Sequence, residues 1–166
     1  MNKVALVTAG GSGMGAACAK KLAADGYAVA VLSSSGKGEA LAQELGGIGV
    51  TGSNQSADDL KTLVDAAMSK WGRIDALVNC AGATQFVPMD DLEALNAEDF
   101  HKVLDVNLVA PYQMARAVAP HMKKTGNGAI VHVSSTSVFT GNGSSYAYVT
   151  SKRAGLPYPM LLVPGI

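Results

Sequence analysis

Charge of either sign is scarce in this chain. Only 16% of its 166 residues are Asp, Glu, Lys or Arg, and 13 basic residues cancel 13 acidic ones. No run of Lys or Arg stands out, which argues against nucleic acid or an anionic membrane as the main partner. Cysteine is scarcer still. Cys18 and Cys80 are the only two, far apart in sequence, in apolar settings and without metal-ligand spacing. They read as two buried thiols of a reducing compartment. His101, His121 and His132 share no ligand spacing either; the first two are expected on helix surfaces and the third in a strand, and no metal is expected. No apolar run approaches the roughly 20 residues of a membrane-spanning helix. Glycines follow the opening MNKVALVT where a signal peptide would stay apolar, so the expected location is cytoplasmic. Aromatic residues are few, and the single Trp71 is expected to pack at a helix–strand corner.

Apolar residues, by contrast, make up 48% of the chain, enough for one domain with a proper core. Lys3–Thr8 is a short β-branched run that stops at AGGSGMG, after which AACAKKLAADG reads as a helix closed by Gly26. Strand, glycine turn and helix in that order let a backbone approach a pyrophosphate at a helix N-terminus. Gly11, Ser12, Gly13 and Met14 are the candidate contacts. Tyr27–Leu32 reads as a second parallel strand, followed by SSSGKG. An NAD-binding domain usually places a carboxylate there for the ribose 2′-hydroxyl. Here Ser33, Ser34, Ser35 and Lys37 stand instead, a set that suits a 2′-phosphate and favours NADP over NAD on charge grounds. The same residues also suit a polar turn that caps the next helix, GEALAQEL.

Ile48–Thr51 is a weak third strand, and NQSADDLKTLVDAAMSKWG a capped amphipathic helix. Asp75–Cys80 reads as a buried strand ending in AGA, where Asn79 can tie neighbouring strands and the small Ala81 and Gly82 leave room for a flat ligand. Residues 84–96 form a long loop. Phe100–Lys124 reads as one long helix containing Asn107 and Pro111. Proline has no N–H, so the carbonyl of Asn107 loses its usual donor at a kink. A water there could link it to an ammonium such as Lys152; a kink for packing alone fits these residues as well.

Ala129–Ser135 reads as the fifth strand, and Tyr148 and Lys152 then follow four apart, on one face of a helix. A tyrosine is a poor proton donor or acceptor at neutral pH, and a neighbouring ammonium favours its phenolate. Ser135 could hold the oxygen of a carbonyl or alcohol while Tyr148 moves the proton. The Tyr–Lys spacing also arises by chance in helices, so its weight comes from what precedes it.

Taken together, residues 1–156 resemble the short-chain dehydrogenase/reductase family. The glycine pattern T-G-x-x-x-G-x-G falls on Thr8–Gly15 with Ala9 in place of the first glycine, and N-N-A-G falls on Asn79–Gly82 with Cys80 as the departure. Asn54, beside Gln55, stands where an Asp often bonds the adenine. Asn107, Ser135, Tyr148 and Lys152 match the catalytic tetrad. The resemblance implies an α/β fold, a doubly wound Rossmann-type parallel sheet in the order 3-2-1-4-5, that binds a nicotinamide cofactor, NADP with NAD possible, at the carboxyl ends of its strands. Cofactor contacts would come from Gly11, Ser12, Gly13, Met14, Ser33, Ser34, Ser35, Asn54, Gln55, Asn79, Ala81, Gly82, Tyr148 and Lys152. Tyr148 would be the general acid/base and Ser135 would orient the substrate oxygen. Lys152 would hold the nicotinamide ribose and favour the Tyr148 phenolate, and Asn107 would complete a proton relay through water.

The family normally continues well past the lysine, whereas here RAGLPYPMLLVPGI follows and the sequence stops. Pro157 and Pro159 are expected to end the helix near Leu156, leaving 157–166 as an atypical tail, with MLLVPGI resembling a sixth strand and its Pro-Gly. The fifth strand would keep an open edge unless that tail pairs with it. Two functions follow as expectations: an oxidoreductase acting on a small-molecule carbonyl or alcohol, homo-oligomeric if its interface helices suffice, or a non-catalytic dinucleotide-binding fragment or interaction module of the same fold.

Overall fold

The computed structural model describes residues 2–155 and 160–162. Its centre is a six-stranded sheet built from β1 (Val4–Thr8), β2 (Ala28–Ser33), β3 (Ile48–Thr51), β4 (Ala76–Asn79), β5 (Ala129–His132) and β6 (Met160–Leu162), in the order β3-β2-β1-β4-β5-β6. The first five strands run parallel, in the order 3-2-1-4-5 expected from the sequence. β6 lies antiparallel on β5, pairing Ile130 with Leu161, so the tail does cover that edge. A single antiparallel edge strand on a parallel sheet is a common arrangement.

All five residues of β1 are buried, as a strand covered on both faces requires. Alternate side chains go to opposite layers. Leu6, Ala30 and Leu32 pack with Leu63, Met114 and Met122 from α3 (Ala57–Trp71) and α5 (Ala110–Thr125). Val7, Val29 and Val31 pack with Ala19 of α1 (Gly13–Ala24) and with Leu41 of α2 (Lys37–Glu44). α3 begins where NQSADD foretells it, with the Ser56 side chain accepting from the Asp59 N–H, and it closes on Gly72 in the left-handed region at φ 70°. Trp71 packs against the α3–α5 layer as expected.

Several boundaries differ from the sequence reading. β5 ends at His132 rather than Ser135, which frees Val133–Ser135 to turn into the site. The long helix is three pieces: α4 (Ala97–Leu104), a π turn over Asp105–Val109, and α5. The Ala110 N–H reaches the Asp105 carbonyl across the wider turn, just before the proline that cannot donate. A short helix α6 (Ser137–Thr140) precedes α7 (Tyr146–Ala154). The expected stop near Leu156 and its two prolines lie outside the described residues, as do residues 163–166. His121 is half-buried on α5, and its Nδ1 is buried with no hydrogen-bond partner among the described residues. Neither cysteine is fully buried, and the two pack against the same α1–α2 layer of the core, near enough for Cys18 to raise the Cys80 pKa. Parallel pairing of β1 with β4 brings together what sequence separation hid.

Candidate active site

At the carboxyl ends of β1 and β4, Thr8 and Asn79 stand in register. The Thr8 hydroxyl accepts the N–H groups of Cys80 (3.2 Å) and Ala81 (3.3 Å), which bends the chain out of β4. Asn79 is spent on the protein: its Nδ2 donates to the Pro111 carbonyl (3.4 Å) and lies 3.2 Å from His132 Nδ1. It ties β4 to β5 and α5, as the sequence suggested, and is only 3% exposed. Burial, then the Lys152 charge, push the His132 pKa down.

Two cavities open along this edge. The first, about 310 Å³, is lined by Ser12, Ser33, Ser34, Ser35, Asn54, Gln55, Ala81 and Gly82, eight of the sequence-predicted cofactor contacts. Asn54 is held there by donating to the Val106 carbonyl (3.2 Å). Ser33 is nearly buried, wedged so tightly that a Cβ on Gly11 would sit 2.4 Å from its Oγ. Gly11 therefore has a packing reason to be glycine. A Cβ on Gly15 would meet the Ala9 carbonyl oxygen at 2.2 Å, so the third glycine lets α1 start hard against β1. Gly13, at φ 51°, faces open space. No carboxylate lines this cavity. Lys37 is exposed at the first residue of α2 and is not part of the lining.

The second cavity, also about 310 Å³, is lined by Met14, Cys80, Gly82, Thr84, Phe86, Val133, Ser135, Ser144, Tyr148 and Lys152. Ser145 caps α7 by accepting the Tyr148 N–H, which sets the helix phase so that Tyr148 and Lys152 share this wall. The Lys152 ammonium lies 5.9 Å from the centre of the Tyr148 ring and donates to the Val133 carbonyl (2.9 Å). Burial lowers its pKa, partly offset by Cys80. Burial and the adjacent Cys18 push the Cys80 thiol up to about 12.

Asn107 is brought to the site by the π turn, which holds it 6% exposed. Its Oδ1 accepts the Ala83 N–H (2.8 Å), while its Nδ2 donates to the Ala83 carbonyl (2.8 Å) and to Ser151 Oγ (2.9 Å). The side chain is thus a strut between the loop after β4 and α7. Gly82 is where the two cavities meet: a Cβ there would lie 3.3 Å from Lys152 Nζ and 3.5 Å from Asn107 Oδ1. A side chain at Gly82 would crowd both groups, and the polar residues that line the joined cavities suit a dinucleotide lying across Gly82. Thr8, Ser137 and Ser151 escaped the sequence reading, because a lone hydroxyl carries no signal until register places it.

Residues 3–158 match the family model described as short chain dehydrogenase. The chain is 39% identical over 159 residues to dehydrogenase/reductase SDR family member 4 of Homo sapiens, covering 92% of this chain and 56% of that protein. It is 36% identical over 156 residues to D-threitol dehydrogenase of Mycolicibacterium smegmatis, covering 90% and 59%. A structure of 7α-hydroxysteroid dehydrogenase complexed with NADH and 7-oxo glycochenodeoxycholic acid superposes with a TM-score of 0.81 at 30% identity, over 92% of this chain and 60% of that one. The chain belongs to the short chain dehydrogenase family, and it spans less than two thirds of the length of these relatives. No helix among the described residues is long and apolar enough to cross a membrane.

Proposed function

We propose that this chain is an oxidoreductase that moves a hydride between NADP(H) and a carbonyl or alcohol substrate. The observation that carries the reading is the convergence of Ser135, Tyr148 and Lys152 on the wall of the second cavity, joined at Gly82 to the first, which Ser12, Ser34, Ser35, Asn54 and Gln55 line. The nicotinamide supplies or accepts the hydride when bound. Everything else falls to the chain. Gly11 and Gly15 keep the turn before α1 close to the sheet, so that free N–H groups of the helix start face a pyrophosphate. Ser34 and Ser35 bind the ribose end. Ser135 holds the substrate oxygen, and Tyr148 passes a proton at its Oη to that oxygen in reduction or takes it in oxidation. The Lys152 ammonium, 5.9 Å from the centre of the Tyr148 ring, would hold the nicotinamide ribose beside it. Asn107 keeps the Ala83 loop and α7 at fixed separation through its three side-chain hydrogen bonds, which preserves the alignment of Tyr148 with the cofactor cleft.

NADP(H) is favoured over NAD(H) because no carboxylate among the described residues lines the first cavity and Lys37 adds a cation at the start of α2, outside that lining. The test of the chemistry is a ketone-reduction assay with NADPH. Tyr148→Phe keeps the ring and removes the exchangeable proton, so turnover should fall by at least about 100-fold. Unchanged turnover in that variant would refute the role assigned to Tyr148.

A further inference from the structure

We propose that Ser137 is a positioning residue that commits the Ser135 hydroxyl to act only as a hydrogen-bond donor. The proposal rests on the oxidoreductase reading above and concerns how the substrate oxygen is held. Ser137 opens the four-residue helix α6 and is 5% exposed, lying behind the second cavity rather than in its lining. It approaches Ser135 twice. Its Oγ donates to Ser135 Oγ at 2.8 Å, and its backbone N–H donates to the same oxygen at 3.2 Å.

A serine hydroxyl has one hydrogen to give and two lone pairs to accept with. Both lone pairs of Ser135 are engaged by Ser137, and among the described residues no acceptor takes its hydrogen. The hydroxyl is left with one free function, donation. Ser135 lines the cavity with Tyr148 and Lys152, so the donor faces the space a substrate would fill.

Two consequences follow for the reaction. A substrate oxygen held by Ser135 must present a lone pair, as a carbonyl oxygen or a developing alkoxide does. The proton of an alcohol substrate must therefore go to Tyr148, because Ser135 has no lone pair left to receive it. Donation from Ser137 also polarises the Ser135 O–H bond, which strengthens its hydrogen bond most when the substrate oxygen carries most charge. Ser137 thus acts on the transition state more than on substrate binding, without touching substrate itself.

The experiment is a double-mutant cycle with ketone reduction by NADPH as readout, using Ser135→Ala, Ser137→Ala, the double variant and Ser137→Thr. Removing Ser137 Oγ should lower kcat about tenfold, the effect of one ordinary hydrogen bond, with KM and the pH midpoint unchanged. In the Ser135→Ala background the same change should have no further effect, because the residue acts through Ser135. Ser137→Thr, which keeps the hydroxyl, should recover most of the rate. A crystal structure of Ser137→Ala should show the Ser135 side chain in more than one rotamer, a readout independent of turnover. Equal losses in both backgrounds, or a Ser135 side chain unmoved and a rate unchanged in Ser137→Ala, would overturn the proposal. An unmodified chain that reduces no ketone would instead count against the oxidoreductase reading, and this inference would fall with it.

Discussion

Ala9 occupies the position where the family's glycine pattern has its first glycine, and it does so at φ 52°. It is the only non-glycine among the described residues with a positive φ. An L-residue in that region costs roughly 1–2 kcal/mol through the approach of its Cβ to the backbone. Glycine removes that cost and loses about 0.5–1 kcal/mol of chain entropy on folding. The net sign favours glycine, so Ala9→Gly should stabilise the protein by up to about 1 kcal/mol, read as a melting midpoint about 2–4 °C higher. A lower midpoint would mean that the Ala9 methyl packs better than its conformation suggests. At this scale the sequence was informative where a residue's type restricts its chemistry. Tyr148, Lys152, Ser135 and Asn107 all came to one edge. It was silent on Ser137 and Thr8, whose role depends on what lies opposite.

At the scale of elements, the start of the sheet is fastened by one carboxylate. Asp75 Oδ2 accepts the Val4 N–H at 2.8 Å, and both carboxylate oxygens receive the Arg73 guanidinium. The backbone of Asp75 also bonds Val4 on one side and Ala129 on the other, so β1, β4 and β5 begin from the same residue. Burial alone would raise the Asp75 pKa, but the Arg73 fork and the Val4 N–H outweigh it and hold the carboxyl below its ordinary value. A carboxyl whose pKa is lower folded than unfolded stabilises the fold above its unfolded value near about 3.9. That contribution is lost as pH falls through the depressed folded value. Asp75→Asn should therefore lower stability at neutral pH by about 1–2 kcal/mol, a figure kept modest because the Arg73 side chain is still 29% exposed. The gap between variant and parent, followed by melts from pH 7 down to pH 3, should narrow in the acid range. A gap independent of pH would show that packing, not charge, does the fastening. None of this was legible beforehand, since Asp75 read simply as the first residue of a strand. The π turn was half legible: Pro111 marked the place of a defect, while the wide turn that accommodates it depends on the loop and α7 that Asn107 spans. The direction of β6 was not legible at all, because three apolar residues pair equally well either way.

At the scale of the whole molecule, alternation of short β-branched runs with helical stretches pointed to an α/β domain, and the resemblance to the family supplied the doubly wound sheet and the order of its first five strands. The same architecture makes the first cavity a property of the entire fold. The first cavity draws on the ends of β1, β2, β3 and β4, so a dinucleotide seated there binds only when the sheet is assembled. A ligand that binds only the native state stabilises it by about 2.7 kcal/mol at 100 times its dissociation constant. For a chain of this size that is a rise of roughly 5–10 °C in the melting midpoint. NADPH should produce that rise at lower concentration than NADH, because Ser33, Ser34 and Ser35 line the cavity with no carboxylate beside them and Lys37 stands exposed at the start of α2. Lys37→Glu should reverse the order, weakening NADPH and leaving NADH little changed, since the new carboxylate repels a 2′-phosphate but not a hydroxyl. Equal midpoints with both nucleotides before the substitution would remove the charge argument for NADP(H). A shift with either nucleotide in a chain that reduces no ketone would favour a dinucleotide-binding module over an oxidoreductase, since the adenosine cavity can be filled without any demand on Tyr148.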